Sequence, residues 1–338
     1  MSRYLATFKP QQYLTPTHNY AVLAEIDWKT KTILREMRFA SASYSTQTVY
    51  HAPLANGICQ VGRRVFVAMF NYIVELDYDS FQIVNSFSHP YMVDLHGLDA
   101  DGEHLYVAST GIDAVLCFDI NTLDFLWRWG PDAPILYQER VEADISRDVM
   151  ASVPLLGDKR RQQIERRQVF HDMDYRHMRK TMTGYHYHHL NDVIHKDNIL
   201  YITTKQWNYH QKGAVIRLDL VSRRADFVVK PDMLHGLHDG VWLDERFYVT
   251  ESGANQVAWW SDGQVTHQKV EPVPYFVRGL CDTGESWLVG FSTLRNTDKP
   301  ALIVEYNRDF TRVMSQMDVS GCYPPEKATT IHSIVRVQ

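Results

Sequence analysis

Short runs of apolar residues alternate along most of the chain with polar stretches that end in Asp, Asn or Gly. Segments such as Glu103-His-Leu-Tyr-Val-Ala-Ser, Ile199-Leu-Tyr-Ile-Thr-Thr and Arg246-Phe-Tyr-Val-Thr-Glu-Ser are β-branched and aromatic, a composition that suits buried strands. Each follows a strand with a polar head: His96-Gly-Leu-Asp-Ala-Asp-Gly, His189-Leu-Asn-Asp-Val-Ile-His-Lys-Asp-Asn, and His235-Gly-Leu-His-Asp-Gly-Val-Trp-Leu-Asp. A unit that recurs in this way predicts a repeat architecture.

Aligning the repeats on His189 sets Asn56, His96, His189, His235, Arg278 and His332 in one register. After each come two apolar strands, a loop, and a third strand that often closes on Asp, as in Val115-Leu-Cys-Phe-Asp and Val215-Ile-Arg-Leu-Asp. A more polar fourth strand follows, as from Phe125 to Trp129 and from Asp226 to Lys230. Four strands in meander order, repeated, make the blade of a β-propeller. The chain ends on Ile331-His-Ser-Ile-Val-Arg-Val, a first strand with no second, while Arg3 to Phe8, Tyr20 to Trp28 and Thr32 to Phe39 supply the missing three. The expectation is an all-β, six-bladed propeller over 1–338, closed by the C-terminal strand joining the N-terminal blade. A β-sandwich of the same strands is the competing arrangement.

The interval from His96 to His189 is about twice a blade. Its excess, 130–187, has helical character at 138–150 and 158–169, with Pro and Gly between, and predicts a helical lid inserted between blades 3 and 4. That segment is rich in Arg and carries His171, His177, His186 and, just beyond it, His188.

With 338 residues, 45% of them hydrophobic, the chain can bury a large core. A formal charge of -5 and a pI near 6.3 give no basic field, so nucleic acid is not an expected partner. Cys59, Cys117, Cys281 and Cys322 show no close pairing. No signal-like start and no apolar run of membrane-spanning length is evident, which predicts a cytoplasmic protein without a membrane partner.

In a propeller the first strand of each blade lines the axis, so the aligned residues should ring one mouth of the channel. The loops between second and third strands converge there and would bring Lys205, Trp207, Tyr209, His210, Glu251 and Arg295. Neutral imidazoles are ligands for transition metals, so His96, His189, His235 and His332 are the candidate metal ligands. The expected ion is divalent, iron first, then manganese, zinc or copper. Glu251, Lys205, Tyr209 and His210 are the candidate catalytic groups, and Arg278, Arg295 and Asn56 the candidates to hold a small substrate through an acidic group. The reading is a metal-dependent oxygenase, lyase or hydrolase. For a single histidine the plainer account is a strand-start residue bonded to backbone, and copying of one ancestral blade would also repeat it.

The axial four-histidine set resembles in architecture the carotenoid-cleaving oxygenases, which hold iron on seven blades. The stretch from His189 to Lys205 resembles the blade motif of the arylsulfate sulfotransferases, whose axial histidine implies metal-free sulfuryl transfer. That family has an Arg at the end of the next strand, and here the nearest residue is Lys205, a point charge that cannot form a bidentate pair. The segments His189-Leu-Asn, Met233 to Leu243 with Glu251-Ser-Gly, and Phe276 to Leu280 with Val289 to Arg295 resemble a family of uncharacterised bacterial six-bladed propellers. A third alternative is a binding propeller that does no chemistry and presents its faces, with Trp207, Trp259 and Trp260 as candidate anchors.

Overall fold

The computed structural model describes residues 2–10, 20–40, 54–131, 188–207, 212–222, 224–272, 275–293, 299–322 and 329–338. They form six antiparallel four-stranded sheets arranged as the blades of a propeller. The first blade is built from both ends of the chain: β1 (Arg3–Pro10), β2 (Tyr20–Asp27) and β3 (Thr32–Ala40) take β24 (Thr329–Arg336) as their innermost strand. Tyr4 pairs with Arg336 and Ala6 with Ile334, so closure by the C-terminal strand is as expected.

Blade 2 is β4 (Ile58–Val61), β5 (Arg64–Ala68), β6 (Ile73–Asp77) and β7 (Gln82–Phe87). Blade 3 is β8 (Leu95–Ala100), β9 (His104–Ser109), β10 (Ala114–Asp119) and β11 (Phe125–Trp129). Blade 4 is β12 (Leu190–Lys196), β13 (Ile199–Thr204), β14 (Lys212–Asp219) and β15 (Ala225–His235). Blade 5 is β16 (Leu237–Leu243), β17 (Arg246–Glu251), β18 (Gln256–Ser261) and β19 (Gln264–Lys269), and blade 6 is β20 (Phe276–Asp282), β21 (Trp287–Ser292), β22 (Leu302–Tyr306) and β23 (Val313–Asp318).

The second and third strands are sandwiched between neighbouring blades and read as continuous apolar runs; Val65 to Ala68 and Leu288 to Phe291 are buried throughout. Outer strands face solvent on one side and are polar, with four exposed residues leading β7. The Asp that closes the third strand holds the turn after it. Asp119 accepts the N–H groups of Asn121 and Thr122, and Asp219 those of Val221 and Ser222.

The helical lid expected at 130–187 is corrected. The described residues contain strands, turns and single 3-10 turns such as Thr110–Ile112, with no α-helix. Gly130 and Pro131 follow the last strand of blade 3, and 132–187, with His171, His177 and His186, lie outside the described residues.

Candidate functional site

The six inner strands are located at the axis by one apolar residue each: Ala55, Leu95, Leu190, Leu237, Val277 and Ile331, all fully buried. The strand around each is tied to the preceding blade by a side chain bonded to main chain. Asn56 donates its amide to the Leu95 carbonyl, and Asn191 to that of Leu237. Thr110 donates to the Leu190 carbonyl, Ser252 to Val277 and Ser292 to Ile331, while Thr7 donates to the carbonyl of Asn56 itself. The residue after each apolar anchor is thereby fixed in a common ring: Asn56, His96, Asn191, His238, Arg278 and His332.

Four of the six sequence-aligned positions belong to this ring. His189 stands two residues ahead of Asn191, in a left-handed turn (φ 53°) whose N–H donates to Asp113, but its imidazole still lies 5.3 Å from that of His96. His235 ends the outer strand β15 and is exposed, so it is no part of the axial group; His238 takes its place. The anchor shows the correct register: Leu95-His96, Leu237-His238 and Ile331-His332 share an apolar residue before the imidazole, whereas His235 follows Leu234 on a different strand.

Arg278 organises the ring. Its guanidinium donates through Nη2 to His238 Nε2 at 2.6 Å and through Nη1 to His332 Nε2 at 2.9 Å. Arginine has no acceptor, so His238 accepts at Nε2, is neutral, and carries its proton on Nδ1, while Nη1 also lies 3.4 Å from His332 Nδ1 and so stands against both nitrogens of that ring. For His238 that proton faces Ser252 Oγ at 2.7 Å and the Gly236 carbonyl at 3.0 Å; Ser252 in turn donates to the carbonyl of Val277, the residue before Arg278. His96 completes the group, its ring 5.9 Å from that of His332 and its Nε2 3.7 Å from Asp94.

This arrangement overturns the metal reading. The Nε2 lone pair of His238 is used on a cation and the His332 nitrogens face the same guanidinium, so a second cation at those atoms would meet it at bonding distance. Among the described residues no group of three or more His, Cys, Asp or Glu is placed to hold a metal ion. The expected iron, manganese, zinc or copper site on His96, His189, His235 and His332 is therefore withdrawn, and the metal-dependent oxygenase, lyase or hydrolase with it.

The electrostatics agree with neutral imidazoles in a positive field. Burial holds His96 down to about 4, and it holds His238 and His332 well below the ordinary range; Arg278 acts in the same sense on all three, Lys9 on His96 and His332, and Lys205 on His238. Burial draws Arg278 itself down to about 10, so it stays charged at neutral pH. No carboxylate pairs with it within salt-bridge distance among the described residues, although Asp239 and Asp94 lie near enough to favour its charge. Phe276 stands beside it, with the guanidinium carbon 4.8 Å from the ring centroid.

The remaining candidates are dispersed. Glu251 is fully buried and serves as a local hub, accepting from the His235 N–H at 2.6 Å and from Gln256, and bonding His267 Nδ1 at 2.7 Å. Lys205 is half-buried at the end of β13, its N–H bonded to the His189 carbonyl. Tyr209, His210 and Arg295 lie outside the described residues. His188 packs on Trp207 at 3.8 Å between ring centroids; Trp207 is buried, and Trp259 and Trp260 are half-buried.

Beyond the ring the inner strands enclose an axial cavity of about 670 Å³, lined by Cys59, Asp99, Asp192, Asp239, Cys281 and Arg336 among others. Three of these aspartates join blades: Asp99 accepts the His195 N–H at 2.6 Å, Asp192 that of Gly240 at 2.8 Å, and Asp239 that of Gly279 at 2.7 Å. In the sequence Asp99, Asp192 and Asp282 all read as turn or inter-blade partners, and Asp282 takes the turn role, accepting the Gly284 N–H and pairing with Arg308.

No known protein family matches the chain by sequence, and no curated protein does. Solved structures match it by shape. A protein of unknown function from Bacteroides caccae has a TM-score of 0.63 at 10% identity, with 100% of both chains covered. A structure of a nidogen/laminin complex follows at 0.58 and 7% identity, covering 99% of this chain and 98% of that one. A catalytically inactive virginiamycin B lyase from Staphylococcus aureus reaches 0.48 at 12% identity, over 82% and 71%, too low to bear on function. The first two likenesses show the propeller fold alone, shared with an uncharacterised bacterial protein, and no link to the sulfotransferases is shown.

Proposed function

We propose that the chain is a metal-free binding propeller whose axial ring takes an anionic group, a carboxylate, sulfate or phosphate, on Arg278. The observation that supports this reading is the state of that residue: a buried guanidinium held between two neutral imidazoles, with no carboxylate paired to it among the described residues. Burying a charge is costly unless an opposite charge or a set of hydrogen bonds replaces water. His238 and His332 supply acceptors but no charge, and Lys9 and Lys205 add positive potential, so the missing counter-charge is the natural ligand of the site. Group transfer through an axial histidine is less well supported, because two of the three ring imidazoles already commit Nε2 to Arg278 and only His96 retains a nitrogen clear of it.

The test is calorimetric titration of the full chain with sulfate, phosphate and succinate, beside Arg278→Met. Hydrogen bonds to charged groups contribute about 1.5–3 kcal/mol, so the variant should bind at least ~10-fold more weakly. Equal affinity in the two proteins, or no binding of any of the three anions by the unmodified chain, would remove the reading.

A further inference from the structure

The second inference rests on the anion site and goes beyond it to the class of acid that fits. Around the axis the ring runs Asn56, His96, Asn191, His238, Arg278, His332, and its two asparagines are oriented unambiguously. The carbonyls of Leu95 and Leu237 can only accept, so the Nδ2 groups face them and the Oδ1 atoms take the other edge. Asn56 is 1% exposed and Asn191 4%, and the Oδ1 atom of each is buried without a donor among the described residues. Arg278 Nε, in a side chain about nine-tenths buried, likewise has no acceptor.

Three polar atoms of one ring therefore lack counterparts, one donor and two acceptors. Buried polar groups are rarely left in that state, and the same ring supplies the positive field described above. A bare anion would answer Arg278 Nε but leave both amide oxygens as they are. An ammonium group would answer the oxygens, but at His96, the ring position between the two asparagines, burial, Lys9 and Arg278 act against positive charge, and Asp94 acts for it. A hydroxyl meets both requirements, since it donates without adding charge.

We propose that the ring selects an acid bearing hydroxyl groups, of the hydroxydicarboxylate or sugar-acid kind, over the same acid without them. The probes are succinate, malate and tartrate, which share a four-carbon dicarboxylate frame and differ by successive hydroxyls. Calorimetry on the full chain should show tartrate or malate binding on the order of 10-fold tighter than succinate, the yield of one well-made neutral hydrogen bond. In Asn56→Leu or Asn191→Leu that preference, read as the ratio of tartrate to succinate affinity within each protein, should shrink to within about twofold. Should a leucine variant fail to fold, the comparison of the three acids on the unmodified chain already decides. Equal binding of all three, lost in Arg278→Met, would overturn the hydroxyl preference, leave the anion site standing, and assign the amide oxygens to ordered water. No binding of any acid or of sulfate would take both inferences down.

Discussion

Gly290→Ala joins the fold to the site through one added methyl group. Gly290 lies in β21 opposite Arg278 in β20, and a Cβ there would come 2.2 Å from the Arg278 carbonyl oxygen and 2.8 Å from Cγ2 of Ile331. Even a close C···O contact is about 3.3 Å, so the carbonyl has to move by roughly 1 Å. It belongs to backbone that is fixed on both sides: Arg278 precedes Gly279, which has φ 76° and donates its N–H to Asp239, and the strand pairing is already irregular between Arg278 and Leu280. Overpacking of this kind costs about 1–3 kcal/mol. Displacing the guanidinium from its two imidazole acceptors adds part of the ~1.5–3 kcal/mol of a charged hydrogen bond, so the total is on the order of 3 kcal/mol. For a domain of this size that corresponds to a fall in Tm of roughly 5 °C. Thermal unfolding followed by tryptophan fluorescence reads the stability, and sulfate titration reads the site. Gly253→Ala is the control, because nothing lies within 4 Å of a Cβ there, and it should melt within about 1 °C of the unmodified chain. A Gly290→Ala protein with unchanged Tm and unchanged sulfate affinity would refute the packing argument and the coupling of Gly290 to Arg278 together.

Two groups of buried residues should give pH dependences of opposite sign. His96 is held at about 4 by burial, against about 6.5 in the unfolded chain, so its contribution is present above pH 6.5 and lost as pH falls toward 4, at most about 3 kcal/mol. His96→Gln should flatten that part of the profile between pH 7.5 and 4.5 in urea denaturation, and an unchanged slope would contradict a buried neutral imidazole. Burial raises Asp99 to about 6, so its contribution is full below pH 3.8 and lost as pH rises through 6, again by at most about 3 kcal/mol. Stability of Asp99→Asn should therefore fall less between pH 4.5 and 7.5 than that of the unmodified chain, and an equal or steeper fall would show that burial does not raise this carboxyl.

Blade count, strand order and terminal closure were legible because they rest on features that a strand must carry locally. The apolar second strands are buried on both faces, the Asp that ends a third strand is needed by its turn, and the unpaired Ile331 to Val337 has to find the edge left open at Arg3 to Phe8. The helical periodicity between blades 3 and 4 had no such anchor in the blade pattern. The ring was legible in part for the same reason. Asn56, His96, Arg278 and His332 each follow directly on a buried apolar residue, and an alignment led by that residue finds them. Aligning on histidine instead moves blade 4 by two residues and blade 5 by three, selecting His189 and His235 over Asn191 and His238. In an inner strand tied to its neighbour through main-chain carbonyls, the side chain that is kept by geometry is the apolar one.

Chemical character depended on a residue that the sequence placed correctly and weighed too lightly. Four imidazoles in one register suggest a metal only while their nitrogens are available, and a single arginine in the same register changes that. Arg278 is long enough to reach both adjacent ring positions, and its fork has a donor for each. Neutral histidines are suited to such a partner: they accept from the guanidinium without cancelling its charge, as aspartates would. A ring of carboxylates around Arg278 would be satisfied internally and indifferent to ligands. A ring of imidazoles and amides holds the arginine in place without pairing a carboxylate to it among the described residues, and the proposed anion site rests on that difference.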